Sequence, residues 1–361
     1  MKNNNKIAIV STSLGVGGAE RFGGLLSFML FDLGYDVHNL IIMDTIDYEY
    51  KGTLVNLEKL FSKEKGVFKA LKKAKFIAEY LNENDIQLII DNRSRPMFLR
   101  EVFTKWIYGN RKVYFMVHSA KSETYFPNFL IGVSYLYKNA TKLVCVSKGI
   151  EDAIHRKFNL NNTTTIYNPI IFPKSESQKP KDVPDNYMLY FGRLQEEIKN
   201  FTLLLSGFSI SKVYENGTKL LIIGDGNDKD FIHSKIKDLQ LEDHVTLLPF
   251  QKNIMPYVQF ARCCVLTSRF EGFPMSLIES LAIGIPVISV DCETGPREII
   301  QNKVNGLLIP NHHGIALAQA IKIMFEDENL YQICKNNAQK SVEHLSLTTI
   351  AQRWQQLLSE K

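Results

Sequence analysis

Strand-like and helix-like segments alternate along nearly the whole chain, and that alternation limits the fold more than any other feature. Short β-rich apolar runs occupy residues 6–12, 37–43, 87–91, 112–117, 142–147 and 164–167. Helix-like segments separate them, clearest at 19–33 and 67–81. Parallel strands need long crossovers, which helices supply, so the pattern predicts α/β architecture with parallel sheets. It pauses at residues 174–186, a polar stretch with two prolines and no periodicity. This is the best linker in the chain. Further strand-like runs follow at 187–191, 219–223, 245–248, 263–267 and 286–290. The reading is two Rossmann-like domains, 1–173 and 187–345, facing a central cleft. A last helix at 346–361 is expected to pack back on the first domain. Open parallel sheets bind ligands beyond their strand C-termini, so loops of both domains are expected at the cleft.

Composition excludes several classes. The longest apolar stretches of the 361 residues, such as 281–290, run to about ten, against the twenty or so of a spanning helix. No apolar signal core follows the N-terminal lysine, which predicts a cytoplasmic chain. Five cysteines, Cys145, Cys263, Cys264, Cys292 and Cys334, show no metal-ligand spacing and read as reduced packing residues. Residues 1–173 carry 23 Lys and Arg against 16 Asp and Glu, while the remainder is slightly acidic. A basic first half points to an anionic surface or substrate on that side. No nucleic-acid module is recognisable.

Three motifs carry chemistry. After the run at 263–267 comes Glu271-Gly272-Phe273-Pro274-Met275-Ser276-Leu277, then Glu279. Pro274 suits a first helical position, which would leave the N–H groups of Met275, Ser276 and Leu277 facing a phosphate. Glu271 before the helix and Glu279 inside it can accept hydrogen bonds from sugar hydroxyls. Alone, two such carboxylates would be ordinary surface residues. The second motif is Gly192-Arg193-Leu194 with Lys199-Asn200. Its two cations, six residues apart across a strand-to-helix turn, can neutralise a diphosphate. The third is Gly15-Val16-Gly17-Gly18-Ala19-Glu20-Arg21. Glu20 stands where the third glycine of a dinucleotide fingerprint belongs, so that reading fails. Gly17 and Gly18 still permit close backbone approach to a ligand.

These motifs occur in order, with Gly224-Asp225-Gly226, Asn168-Pro169 and Asn305-Gly306-Leu307-Leu308. Together they resemble a GT-B glycosyltransferase of family four, the retaining glycosyl transferase group-one type, from about residue 6 to 355. The resemblance implies roles. Arg193 and Lys199 match the diphosphate-binding pair, Glu271 the donor-sugar contact and Glu279 the ribose contact. Phe273, Pro274, Met275, Ser276 and Leu277 match backbone that meets phosphate and sugar. Gly17, Gly18 and Gly224 match donor-side loops, and His118 a histidine near the donor sugar. Two departures stand out: Pro274 replaces a residue that is often small, and the glycine usual near Pro249-Phe250 is absent.

The resemblance implies retaining transfer of a hexose-type sugar from a UDP-linked donor. The acceptor would be a glycan or a polyprenyl-diphosphate-linked glycan, in bacterial surface polysaccharide synthesis. No cofactor is expected, and Arg193 and Lys199 would do the work of a metal. Alternatives are a non-catalytic sugar-nucleotide-binding or partner subunit, a sugar-nucleotide epimerase, or a phosphorylase. The retained cations and glutamates argue against a dead site. On the 67–81 helix, Val67, Ala70, Leu71, Ala74, Ile77, Ala78 and Leu81 share one face. Lys65, Lys69, Lys72, Lys73, Phe76 and Tyr80 fall opposite, an arrangement suited either to solvent or to peripheral contact with an anionic membrane. Arg93 and Arg95 follow the run at 87–91, at a strand end from which they could also meet an acceptor phosphate.

Overall fold

The computed structural model describes residues 5–15, 17–173, 178–181 and 183–360. Residues 174–177 and 182 of the expected linker, and Val16 of the first glycine loop, lie outside them. The chain forms two compact units: Met1–Pro169 with Leu347–Lys361, and Ile170–Ser346. The division falls ahead of the polar stretch. Ile170 is tied into the second unit, where its N–H donates to the Leu345 carbonyl and it bridges Ser346.

The first unit contains a seven-stranded parallel sheet. Its strands are β1 (Lys6–Ser11), β2 (Asp36–Ile41), β3 (Thr53–Asn56), β4 (Leu88–Asp91), β5 (Lys112–Val117), β6 (Lys142–Cys145) and β7 (Thr163–Thr165). Their order is β3-β2-β1-β4-β5-β6-β7, with Ile9 set between Asn39 and Ile90. Central strands read as near-continuous apolar runs because helices cover both faces. Strand β3, too short to show a period, is absent from the sequence-based expectation. Right-handed crossovers put the helices Gly66–Glu83, Phe98–Tyr108 and Leu130–Tyr137 side by side on one face. The helix Gly18–Asp32 lies on the other, against the C-terminal helix Leu347–Ser359. There Trp354 is fully buried, its ring 6.5 Å from Phe22.

The second unit holds a six-stranded parallel sheet. Its strands are β8 (Tyr187–Phe191), β9 (Lys219–Ile223), β10 (Val245–Leu248), β11 (Cys263–Leu266), β12 (Val287–Asp291) and β13 (Gly306–Pro310), in the order β10-β9-β8-β11-β12-β13. In each sheet the strand order reverses beside one strand, β1 or β8. The C-terminal ends flanking such a reversal open a crevice where ligands bind. The glycine loop follows β1, the Arg193–Lys199 loop follows β8, and the Glu271 loop follows β11. All five cysteines are buried and unbonded to one another.

One expectation for the first unit is corrected and another is met only in part. Arg93 and Arg95 do not present themselves to a phosphate. Arg95 is fully buried and donates to the carbonyls of Asp91, Arg93 and Met116, with the rings of Phe115, Tyr125 and Tyr137 within 5.9 Å. Arg93 forks onto Asp91 at 3.0 and 2.5 Å. Burial opposes the Asp91 charge, yet the two guanidiniums overcome it and hold this carboxyl below its usual range.

The Gly66–Glu83 helix buries Ile77 and Leu81 of the expected apolar face, but its first turns leave Val67 and Leu71 exposed and part of its lysine face is engaged by protein. Lys69 and Lys73 both pair with Glu58, and Lys73 also donates to the Ile42 carbonyl. Phe76 lies between Phe61 and Tyr80, and the Tyr80 hydroxyl is 2.7 Å from His38 Nδ1. Lys69, Lys73, Phe76 and Tyr80 are therefore engaged by protein, whereas Lys65 and Lys72 of the same expected face stay exposed. Glu58 belongs to a different element, so helical spacing within 67–81 could not reveal it.

Candidate active site

In the second unit, the loop after β8 is shaped by backbone packing. Gly192 N–H donates to Ile223 O at 3.0 Å, and Leu194 N–H to Asp225 O at 2.8 Å. A Cβ on Gly224 would fall 1.8 Å from the Gly192 carbonyl oxygen. Gly224 is thus required by the approach of two loops, one of which carries Arg193. The short helix Glu196–Lys199 then ends abruptly. Asn200 adopts left-handed φ of 57°, and its side chain caps the next helix by accepting from Leu203 N–H. One asparagine closes one helix and opens another, which places Lys199 at the corner.

The loop after β11 is stitched to that corner. Thr267 Oγ1 donates to the Lys199 carbonyl at 2.9 Å, and Arg269 N–H to the Ile198 carbonyl at 2.8 Å. Arg269 also donates to the Glu196 carbonyl at 2.6 Å. As a result Lys199 Nζ lies 2.5 Å from Glu271 Oε1, across 72 residues of sequence. Gly295, at φ 94°, backs this loop; a Cβ there would meet the Gly272 carbonyl at 2.7 Å. Thr294 Oγ1 donates to the Glu271 carbonyl.

Pro274 caps the helix Met275–Ala282 instead of occupying its first position. Leu277 N–H donates to the Pro274 carbonyl at 3.2 Å, so the expected trio of free donors is reduced. Met275 and Ser276 lead the helix with no preceding helical carbonyl to bond. Phe273 is buried. Glu279 is 3% exposed and lies close to Cys264. Burial, opposed by a Ser280 hydrogen bond and reinforced by the Glu279 charge, pushes the Cys264 thiol up to about 12.

In the first unit, Gly17 caps the Gly18–Asp32 helix. A Cβ on Gly18 would meet nothing within 4 Å, whereas one on Gly15 would lie 2.6 Å from Thr45 Cγ2. Gly15 is therefore needed for packing, and Gly18 leaves open space. His118 follows β5, its ring 5.0 Å from Phe22 in edge contact. Its Nε2 is 2.6 Å from Asn92 Oδ1, and Asn92 Nδ2 donates to the Ala19 carbonyl at 2.8 Å. A carbonyl can only accept, so this second bond sets the amide orientation. Asn92 Oδ1 then faces the imidazole, Nε2 carries the proton, and Nδ1 keeps its lone pair. Burial, with the Arg95 charge behind it, drives the His118 pKa down to about 3. The ring is neutral near pH 7. The sequence reading missed Asn92; its signal was its place just after a strand beside the reversal in strand order.

Among the described residues, no group of three or more His, Cys, Asp and Glu side chains could hold a metal ion. The second unit thus offers a cation, a carboxylate and a helix start at one crevice. The first offers a neutral imidazole tied through Asn92 to a glycine loop.

The profile of the Glycosyl transferases group 1 family matches residues 172–341. An N-acetylgalactosaminyltransferase of Campylobacter jejuni, which acts on a diphospho-undecaprenol-linked saccharide, is 31% identical over 96% of this chain and 97% of its own. The lipopolysaccharide 1,6-galactosyltransferase of Escherichia coli is 33% identical over 47% of this chain and 50% of its own. Among solved structures, Anabaena HepE in complex with UDP superposes with a TM-score of 0.76 at 20% identity, over 98% of this chain and 99% of that one. Staphylococcus aureus TarM superposes at 0.78 with 16% identity, over 98% and 100% of the two chains. These superpositions show the GT-B fold. With whole-length similarity to the Campylobacter jejuni enzyme, they establish that the chain belongs to the glycosyl transferase group 1 family and is a glycosyltransferase.

Proposed function

We propose that this enzyme moves a hexose-type sugar, with retention, from a UDP-sugar to a polyprenyl-diphosphate-linked glycan. The observation that carries the donor half is the Lys199–Glu271 pair at the crevice between β8 and β11. Departure of the nucleotide builds negative charge on the β-phosphate and positive charge on the sugar ring. Fixed cations and free N–H groups aimed at that phosphate stabilise the transition state. Arg193, Lys199 and the N–H groups of Met275 and Ser276 take this role, so the charge is met by protein groups. Glu271 holds Lys199 until the donor diphosphate competes for the ammonium, and its carboxylate then accepts from a sugar hydroxyl. In the first unit, His118 Nδ1 keeps a lone pair that can accept from a ligand hydroxyl. The acceptor hydroxyl attacks on the face the phosphate leaves, and the departing phosphate oxygen takes its proton. The acceptor class is supported by the Campylobacter jejuni relative.

Calorimetry and thermal shift with UDP, GDP, CMP and ADP test the donor. A dissociation constant of 10–100 μM would raise stability by about 1.4–2.7 kcal/mol at millimolar ligand. Selective stabilisation by UDP, lost in Lys199→Ala, is expected. Indifference to all four would overturn the reading. Binding without slow hydrolysis of the UDP-sugar would favour a non-catalytic subunit.

A further inference from the structure

We infer that the outer side of three adjacent helices in the first unit is a docking surface for an anionic lipid bilayer. The helix Phe98–Tyr108 is built inside out. Its buried positions are Glu101, Thr104 and Tyr108, which face the Asp91–Arg93 pair, while Leu99, Phe103 and Trp106 point to solvent. Leu99, Phe103 and Trp106 are spaced i, i+4, i+7 and form one stripe. Trp106 is 76% exposed.

The neighbouring helices continue the stripe. On one side, Val67, Phe68 and Leu71 of the Gly66–Glu83 helix are exposed, while its Lys69 and Lys73 turn to Glu58 and its Phe76 to Phe61. On the other, Leu130 and Ile131 are exposed, Ile131 at 84%. Phe98 joins the last two helices, lying 4.9 Å from the Phe129 ring. Monomers seldom expose apolar side chains on three packed helices in a row.

Charge selects the occupant. Residues 97–142 carry seven Lys and Arg against two Asp and Glu. Lys105, next to Trp106, is exposed: its ammonium sits 4.4 Å from the Tyr135 ring centroid and donates to the Tyr135 carbonyl at 2.8 Å in a solvent-exposed bond. Lysines that can reach outward beside Trp, Phe and Ile suit the boundary between lipid headgroups and acyl chains. A second copy of this chain fits poorly, since a two-fold contact would oppose the same basic segment to itself. No helix among the described residues is long and apolar enough to cross a membrane, so the contact is lateral. The inference rests on the proposed function only in that a lipid-linked acceptor gives such a surface a use.

The test uses the full chain, without donor or acceptor, and phosphatidylcholine vesicles with and without phosphatidylglycerol. The chain has two tryptophans, and Trp354 is buried, so Trp106 reports the surface. Anionic vesicles are expected to shift its emission to the blue, shield it from acrylamide and carry the protein in flotation. The triple variant Leu99→Ser/Phe103→Ser/Trp106→Ser should lose about tenfold or more of the flotation partition with an unchanged circular dichroism spectrum. Trp106→Phe should lose the optical signal and still float. Unchanged Trp106 emission and no flotation with anionic vesicles would overturn the proposal. So would a concentration-dependent dimer abolished by the triple variant, which would assign the face to a second copy. UDP-induced stabilisation of the same variants reads the donor site separately.

Discussion

At the residue scale, the informative contrast is between Lys199 and Arg95. Both are cations after a strand, and sequence spacing treats them alike. Arg95 is enclosed by three aromatic rings and backbone carbonyls, whereas Lys199 keeps one carboxylate partner at a crevice. Replacing Lys199, Arg193 or Glu271 by Ala is expected to lower transfer at least a hundredfold with an unchanged circular dichroism spectrum, since in the proposed mechanism the two cations meet the charge that develops on the phosphate and Glu271 holds Lys199 and the sugar. Wild-type rates in a folded Arg193→Ala/Lys199→Ala double variant would refute the donor site. His118 gives a pH prediction. Its folded pKa is about 3, below the value near 6.5 of an unfolded chain. Between those values the unfolded state binds the extra proton, so this residue's contribution to stability is present above pH 6.5 and is lost as pH falls toward 3. Histidine-selective NMR should show a His118 ring resonance that stays in its neutral position from pH 8 to pH 5. Titration near 6.5 would contradict the partly buried, Asn92-bonded ring.

At the element scale, glycines and caps separate packing from ligand approach. Gly224→Ala drives a Cβ into the Gly192 carbonyl and should cost about 1–3 kcal/mol in urea unfolding of the second unit, with weaker UDP binding. Gly18→Ala meets open space at the start of a helix and should leave stability unchanged or raise it by about 0.5–1 kcal/mol. A loss of transfer in that stable variant would assign Gly18 to the ligand. Asn200 tests the corner that holds Lys199: Asn200→Gly keeps the left-handed backbone and loses only the cap, so it should be milder than Asn200→Ala. The motif pair Lys199-Asn200 is thus one cation and the residue that aims it.

At the scale of the whole molecule, the C-terminal helix belongs to the first unit although it ends the chain. Trp354 is wholly buried there against Phe22, so Trp354→Ala should cost about 3–5 kcal/mol. A chain ending at residue 346 should lose the first unit's cooperative urea transition and keep that of the second. An unaltered first-unit transition after this truncation would show the helix to be dispensable. Seven- and six-stranded parallel sheets from one chain also explain why the alternation is so regular: each crossover buries its strand on both faces.

The sequence by itself determined the class of fold, because period and punctuation are local and buried parallel strands leave an unmistakable apolar run. It also determined the order of the glycine loops, the cation pair and the two glutamates along the chain. Tertiary structure decided which charges meet. Glu58 engaged Lys69 and Lys73 of one helix, Asp91 drew Arg93 away from any ligand, and Thr267 and Arg269 brought Lys199 to Glu271. Those partners sit on different elements. The energy of a buried or half-buried charge depends on what surrounds it in space, which no spacing rule along the chain contains.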